Sequence, residues 1–168
     1  ATSSAGSYGL VDSYISTTTD ISLTVIPAGL WEFIDWANID SNVGNSRIIH
    51  RLYKRDVGGT ETLIGTATSS EMTTGIKEYT TNVVFASSSM LSTDRIVVKT
   101  YLWSDSGTVR TMTYYYDGVA RYSHIHTPID ISAGGYTRAA VNETITGAWI
   151  FNNNSTLATT SISSLTLG

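Results

Sequence analysis

The sequence lacks cysteine, and it contains only two prolines and few charged residues. Without cysteine the chain can form neither a disulfide framework nor a thiolate metal site, so packing alone must hold the fold. Charged residues make up 14% of the 168 residues, well below the usual quarter. The formal net charge is −4, and the ten Lys and Arg residues are scattered apart from one local group. That group consists of Arg47, Arg51, Lys54 and Arg55. We therefore expect no broad basic face and no nucleic-acid partner.

Long hydrophobic runs are also missing. No apolar stretch approaches the roughly 20 residues that a membrane-spanning helix needs, and the N-terminus lacks the charged and apolar regions of a signal peptide. We therefore expect no membrane partner and no secretion route of the chain's own. The hydrophobic fraction of 41% is nevertheless enough to build the core of one ordinary domain.

Strand signals dominate what is present. β-branched and aromatic residues are abundant, and no segment carries the apolar stripe of an amphipathic helix. Turn-forming residues, such as those of Asp56-Val-Gly-Gly59, separate about eight predicted strands. The strands cover approximately 20–27, 30–39, 46–56, 60–68, 76–86, 94–103, 108–117 and 119–126. This spacing predicts an all-β fold, a jelly-roll-like antiparallel β-sandwich with extended N- and C-terminal arms.

The composition divides the chain into three parts. Residues 1–19 are rich in Ser, Thr, Gly and Ala and are predicted to form an extended N-terminal arm, docked on a neighbouring subunit. Residues 20–130 are predicted to form the β-sandwich. Residues 131–168 read as a linker and a C-terminal arm or connector, because they hold too few apolar groups to offset a backbone entropy cost of about 1–2 kcal/mol per residue.

Alternation along the predicted strands indicates which side chains face the core. Two strands have a clear inward face, formed by Trp31, Phe33, Ala37 and Ile39 and by Ile96, Val98 and Leu102. The strand 46–56 leaves the choice open, with Ile49 and Tyr53 on one side and Ile48, His50 and Leu52 on the other. Either face of 108–117 could also pack.

Two sets of segments carry a family resemblance. Asn142-Glu-Thr-Ile-Thr-Gly-Ala-Trp-Ile-Phe-Asn152 is similar to the Glu-Thr-Ile-Thr-Gly-x-Trp-x-Phe-Asn connectors that recur between domains of bacteriophage tail fibres. The ordered segments Ile26–Phe33, Tyr53–Leu63, Thr93–Tyr101 and Tyr122–Pro128 resemble β-sandwich domains of tail fibres, head fibres and other virion proteins.

The resemblance implies a non-enzymatic structural protein on the virion surface, either a fibre or a capsid decoration protein. Such modules are typically homotrimers, so the implied partners are identical copies and other proteins of the capsid or tail. An alternative stays open, in which the chain is a carbohydrate- or receptor-binding module that mediates host attachment through a surface glycan.

His124 and His126 are candidate metal ligands, because residues i and i+2 of a strand point to the same side. Two nitrogens from one chain make a poor site. Three chains around a threefold axis would supply six, which suits Fe(II) or another divalent transition metal, as the analogy with trimeric phage fibres implies. In the alternative interpretation, both histidines form hydrogen bonds in a polar interface. No other cofactor is expected.

Exposed aromatic residues are the remaining candidates for a binding site. Trp36, Trp103, Tyr114 and Tyr116 could present stacking platforms for a glycan, or they could fill the sandwich or a subunit interface. Enzymatic activity is not expected, because the sequence contains no Gly-x-Ser-x-Gly motif and offers no recognisable Asp partner for its three histidines.

Overall fold

Two antiparallel β-sheets packed face to face make up the structure, a computed structural model that describes residues 1–17, 24–116 and 121–129. The strands are β1 (Thr2–Ser3), β2 (Ser7–Ile15), β3 (Val25–Ile26), β4 (Gly29–Ile39), β5 (Ser46–Arg55), β6 (Glu61–Thr68), β7 (Lys77–Phe85), β8 (Ser88–Ser89), β9 (Arg95–Ser104), β10 (Arg110–Tyr115) and β11 (His124–His126). These three ranges contain no helix, and hence none with the length and apolarity to cross a membrane. The predicted antiparallel β-sandwich is confirmed, while the jelly-roll topology stays a prediction.

The first sheet is built around β4. Strand β7 pairs with one edge of β4, and β10 and β11 pair end to end with the other edge. Strand β10 covers Trp36–Ile39, whereas β11 covers Glu32–Ile34. The second sheet has the order β2-β9-β5-β6, and β3 and β8 form a small ribbon. The predicted strand 20–27 is described only as β3, because residues 18–23 lie outside the described part of the chain.

The sequence predicted an extended arm for residues 1–19. In the described part, residues 1–17, the chain instead forms two strands of the sandwich. Strand β1 pairs with β10 of the first sheet, and β2 pairs with β9 along the edge of the second. The chain changes sheet at Ala5 and Gly6, whose φ angles are 50° and 75°. Backbone hydrogen bonds hold this segment in the sandwich, so a composition rich in Ser, Thr, Gly and Ala did not prevent strand pairing.

The predictions for the C-terminal part lie outside the described residues. This includes the domain boundary between residues 130 and 131 and the connector-like segment.

The core faces agree with the alternation in the sequence. Trp31, Phe33, Ala37 and Ile39 are buried on one side of β4, as predicted, and Ile96, Val98 and Leu102 are buried on β9. In β5, where the sequence left two possibilities, the inward residues are Ile48, His50 and Leu52. The buried side chains form two apolar clusters, one around Trp31 and Phe33 and the other around Ile39 and Tyr79.

Candidate ligand-binding cleft

A polar layer separates the two apolar clusters. It consists of Asp35 on β4, His50 on β5 and Thr100 on β9, each at an inward position between apolar inward neighbours. On every one of these strands, the inward residue on one side belongs to the first cluster and the one on the other side to the second. The layer therefore crosses the sandwich from one sheet to the other.

The three side chains form one hydrogen-bonded network with Tyr114. His50 Nε2 lies 2.8 Å from Asp35 Oδ2, and His50 Nδ1 lies 3.0 Å from Thr100 Oγ1. The Tyr114 hydroxyl donates to Asp35 Oδ1 over 2.5 Å. The ring of Phe33 stacks on the imidazole, with centroids 4.2 Å apart. Asp35, His50 and Thr100 are only 1 to 2% exposed, so their polar atoms depend on one another for partners.

Tyr114 is a neutral hydrogen-bond donor in this network. Burial raises the pKa of its hydroxyl far above the ordinary value, and the charge and hydrogen bond of Asp35 raise this pKa further. The hydroxyl therefore keeps its proton throughout the physiological pH range and continues to satisfy the buried carboxylate.

The polar layer opens at one side onto a cleft of about 420 Å³. The cleft lies between the edge strand β2 of the second sheet and the β10 and β11 edge of the first. Its lining residues are Asp12, Tyr14, His50, Thr100, Tyr114, Tyr116, Ser123, His124 and Ile125.

The cleft's first wall exists because β10 and β11 are interrupted. The chain leaves the edge of β4 after Tyr115 and returns at Ser123. There the Ser123 hydroxyl donates to the Tyr115 carbonyl over 2.7 Å and accepts from the Trp36 amide over 2.9 Å. Ser123 thus replaces part of the missing ladder and fixes the point where the chain rejoins the sheet.

The opposite wall is positioned by a β-bulge. The register of β2 against β9 shifts between Leu10 and Asp12, so that Asp12 and Tyr14 become cross-strand partners of the inward residues Thr100 and Val98. A bulge of this kind reverses which side chains face inward. In the cleft, burial above all raises the pKa of Tyr14 to about 12, and the Asp12 carboxylate adds to the rise through its charge and a hydrogen bond.

Tyrosine rings beside a carboxylate suit the binding of a polyhydroxylated ligand better than hydrolysis. Tyr114 and Tyr116 lie with ring centroids 5.4 Å apart and provide apolar surface next to hydroxyl groups. Asp35, His50 and Thr100 have the connectivity of a hydrolase triad, but a nucleophile must meet the substrate directly. Thr100 is 2% exposed, which favours a structural role for the network.

The structure brings together only two of the four aromatic residues that the sequence suggested for glycan binding. Tyr114 and Tyr116 line the cleft. Trp36 lies on the outer face of β4, where its cross-strand partner is Tyr115. Trp103 lies on the outer face of β9 in the other sheet, opposite Tyr8. The four therefore belong to three separate surfaces.

His124 and His126 lie side by side on β11, with ring centroids 4.8 Å apart. His126 Nδ1 is 3.0 Å from Glu32 Oε2, and His124 Nδ1 is 3.3 Å from the Tyr122 carbonyl oxygen. These contacts favour a proton on each Nδ1, which leaves Nε2 as the ligating atom of a neutral ring. Within the described ranges, no three His, Cys, Asp or Glu side chains converge as a metal-binding group.

Sequence reasoning missed the centre of this site. We expected no Asp partner for any histidine, yet Asp35 binds His50 directly. The available signal was a polar residue at an inward position of an otherwise apolar face, as in Phe33-Ile-Asp35-Trp-Ala37. Asp12 and Tyr14 gave no such signal, because the bulge that turns them inward leaves no mark in the alternation.

Comparison with known proteins assigns no family to the chain. No protein-family model matches it, and no curated protein is significantly similar to it.

Proposed function

We propose that the chain is a non-enzymatic structural protein of a bacteriophage virion surface, a fibre or capsid decoration protein, that assembles as a homotrimer. The virion location, and other virion proteins as partners, rest on the resemblance of the connector and sandwich segments. Association of identical copies is supported by one observation in the structure, exposed apolar side chains on the first sheet, whereas the number of three copies rests on the resemblance.

This surface, which we name the apolar outer face, consists of Leu30, Ile34, Trp36, Val84 and Tyr115. Leu30 and Val84 are cross-strand partners and are 55% and 71% exposed. Trp36 pairs with Tyr115 further along β4. Within the described residues nothing covers Leu30 and Val84, and the polar pair Glu32 and Asn82 lies between them and Ile34 on the same face. Exposed apolar side chains with polar neighbours at their rim are typical of protein interfaces. Identical copies of the chain are the proposed occupants.

Replacing Val84 with glutamate is expected to convert the trimer into monomers, because a charge buried between copies loses its hydration without gaining a partner. Light scattering should give three times the chain mass of 18.1 kDa for the wild type and one chain mass for the variant. Val57→Glu is the matched control, since Val57 is 86% exposed in the turn between β5 and β6. A wild-type monomer, or dissociation by both variants alike, would contradict the proposed assembly surface.

The metal site is a separate proposal within the trimer. His124 and His126 adjoin the apolar outer face, since their cross-strand partners on β4 are Ile34 and Glu32. Three chains would together offer six Nε2 atoms to Fe(II) or another divalent transition metal. Elemental analysis of the purified trimer tests this. A bound transition metal, with a melting temperature that falls in chelator, supports the site, and a metal-free trimer excludes it without affecting the assembly proposal.

The cleft favours a second candidate function, host attachment by carbohydrate binding. Its tyrosine rings and the neighbouring Asp12 carboxylate offer both stacking surface and hydrogen-bonding groups to a sugar. Unlike the first proposal, this one requires a specific ligand and does not require assembly.

Replacing Tyr116 with alanine is expected to weaken binding to a glycan identified on an array by roughly tenfold, because loss of an aromatic contact costs on the order of 1–2 kcal/mol. Tyr122→Ala is the matched control, since the two tyrosines are 50% and 52% exposed but only Tyr116 lines the cleft. Calorimetric titration of both variants would measure the difference. Equal affinities for the two variants would place the glycan outside the cleft.

A further inference from the structure

Arginines and aromatic rings alternate on the outer face of the second sheet. Arg47, Arg51 and Arg55 occupy every fourth position of β5 and therefore project from the same side. The neighbouring strand β9 adds Tyr101 and Trp103. Strand β2 adds Tyr8, the cross-strand partner of Trp103. We name this surface, Tyr8, Arg47, Arg51, Tyr101 and Trp103, the cation–aromatic face.

Aromatic contacts hold the Arg51 guanidinium in place. Its Cζ lies 4.3 Å from the centroid of Tyr8 and 5.2 Å from that of Tyr101. A guanidinium that is already fixed against aromatic rings loses little conformational freedom when it binds an anion. Arg51 is therefore a pre-oriented cation on this surface.

Arg47 and Trp103 form the second element of the face. They are cross-strand partners, and Arg47 Nη1 donates to the Ser69 carbonyl over 2.9 Å. Arg47 is thus also held, beside an indole ring that is partly exposed. Cation and ring are placed next to each other, as they are at Arg51.

The charge on this surface is not neutralised locally. Glu61 contacts Lys99 at 2.5 Å and Arg55 at 3.7 Å, but neither Arg47 nor Arg51 has an ion-pair partner among the described residues. This positive surface belongs to a chain with a net charge of −4. The sequence already placed Arg47 and Arg51 in its one local basic group, and the register of β5 against β9 sets this group beside Tyr101 and Trp103.

We propose that the cation–aromatic face binds an anionic polysaccharide. Its sugar rings stack on Trp103 and Tyr8, and its carboxylates or sulfates pair with Arg47 and Arg51. Two unpaired cations are too few for sequence-independent nucleic-acid binding, in which several phosphates are neutralised at once. The proposal rests on the carbohydrate-binding candidate for its ligand class, but it uses a different surface from the cleft.

The test measures binding of the full chain to four immobilised polymers by interferometry. Dextran sulfate and polygalacturonate distinguish sulfate from carboxylate recognition, uncharged dextran tests the need for charge, and poly(dT) represents nucleic acid. The wild type should bind at least one of the anionic polysaccharides, should bind poly(dT) more weakly than it binds that polysaccharide, and should not bind dextran.

Two sets of variants assign the binding to this face. The double variant Arg47→Gln, Arg51→Gln is expected to weaken polysaccharide binding by about tenfold or more. Both charged contacts to the polysaccharide are lost in this variant, and their losses of binding free energy add. Lys77→Gln with Arg121→Gln removes the same charge elsewhere and should stay within about twofold. Trp103→Ala should weaken binding by about fivefold with no change in charge, and circular dichroism should confirm that each variant is folded.

Each contrary outcome is decisive. Equal or tighter binding to poly(dT) would overturn the proposal in favour of nucleic acid, and equal loss in both double variants would reduce it to an effect of net charge. Binding that depends on the arginines but not on Trp103 would overturn the stacking of sugar rings. If no anionic polysaccharide binds, but a glycan from the array binds and Tyr116→Ala weakens that binding, this inference fails and carbohydrate binding in the cleft is supported. If neither ligand binds, both fail.

Discussion

Replacing Asp35 with alanine is expected to lower the free energy of unfolding by roughly 3–5 kcal/mol, the usual cost of removing one partner from a buried ionisable pair. The carboxylate holds two buried groups at once, the His50 imidazole through Oδ2 and the Tyr114 hydroxyl through Oδ1. Alanine would leave both groups without this acceptor at positions that are largely buried, and each unsatisfied group adds a desolvation cost.

Urea denaturation at a fixed protein concentration measures this loss. Asp40→Ala is the matched control, because Asp40 follows the same strand and is exposed. We expect the control to change stability by no more than about 0.5 kcal/mol. A similar small change for Asp35→Ala would mean that water or another side chain replaces the carboxylate.

A double substitution distinguishes the net contribution of the Asp35–His50 pair from the cost of leaving one partner buried and unpaired. Asp35→Leu together with His50→Leu removes both polar groups, and paired apolar replacement is often close to neutral. The double variant should therefore be destabilised less than the sum of the two single variants. Additive losses would show that the two side chains do not act as one unit.

The buried network also links the core to the cleft. Tyr114 lines the cleft with its ring while its hydroxyl is bound to Asp35. The hydrogen bond to Asp35 therefore fixes the position of the Tyr114 ring, which forms part of the cleft wall. In the second candidate function, Tyr116 is the residue of this wall that can be changed without disturbing the polar layer.

Strands with clear local patterns could be predicted from the sequence. The alternation from Trp31 to Ile39 predicted β4 and its inward face. The turn after β5 was also predictable, since Gly59 adopts a φ of 90° and the Thr60 amide binds Asp56 Oδ1 over 2.8 Å. In both cases the decisive interactions lie within a few residues of each other.

Features that depend on distant residues could not be predicted. The edge strand β2 lacks a regular alternation of apolar and polar residues and is held by backbone pairing with β9, about ninety positions later in the chain. Asp35 meets His50 and Thr100 only because β4 packs over β5 and β9. Alternation showed that Trp36 faces away from Trp31, but it could not show that Trp103 lies on the other sheet.

Replacing Trp31 with alanine is expected to cost about 3–5 kcal/mol of stability, because the cavity left by a buried tryptophan is only partly refilled. Trp31 is 1% exposed and contacts the rings of Phe33 and Phe85 at centroid distances of 6.4 and 5.8 Å. Its Nε1 has no hydrogen-bond partner among the described residues. Trp31→Phe, which removes that unpaired donor and keeps a ring, should therefore cost less, about 1–2 kcal/mol.

Trp36 provides the sharpest comparison, because it lies five residues further along β4 on the opposite face. Truncating it removes an aromatic ring of the same size from a partly exposed position, so Trp36→Ala should cost less than half as much as Trp31→Ala. Both substitutions are best measured by urea denaturation in the Val84→Glu background, where loss of assembly cannot be mistaken for loss of folding. Equal costs would contradict the assignment of the two faces of β4. A low cost for Trp36 only in that background would instead show that its ring is used between subunits, as the proposed assembly requires.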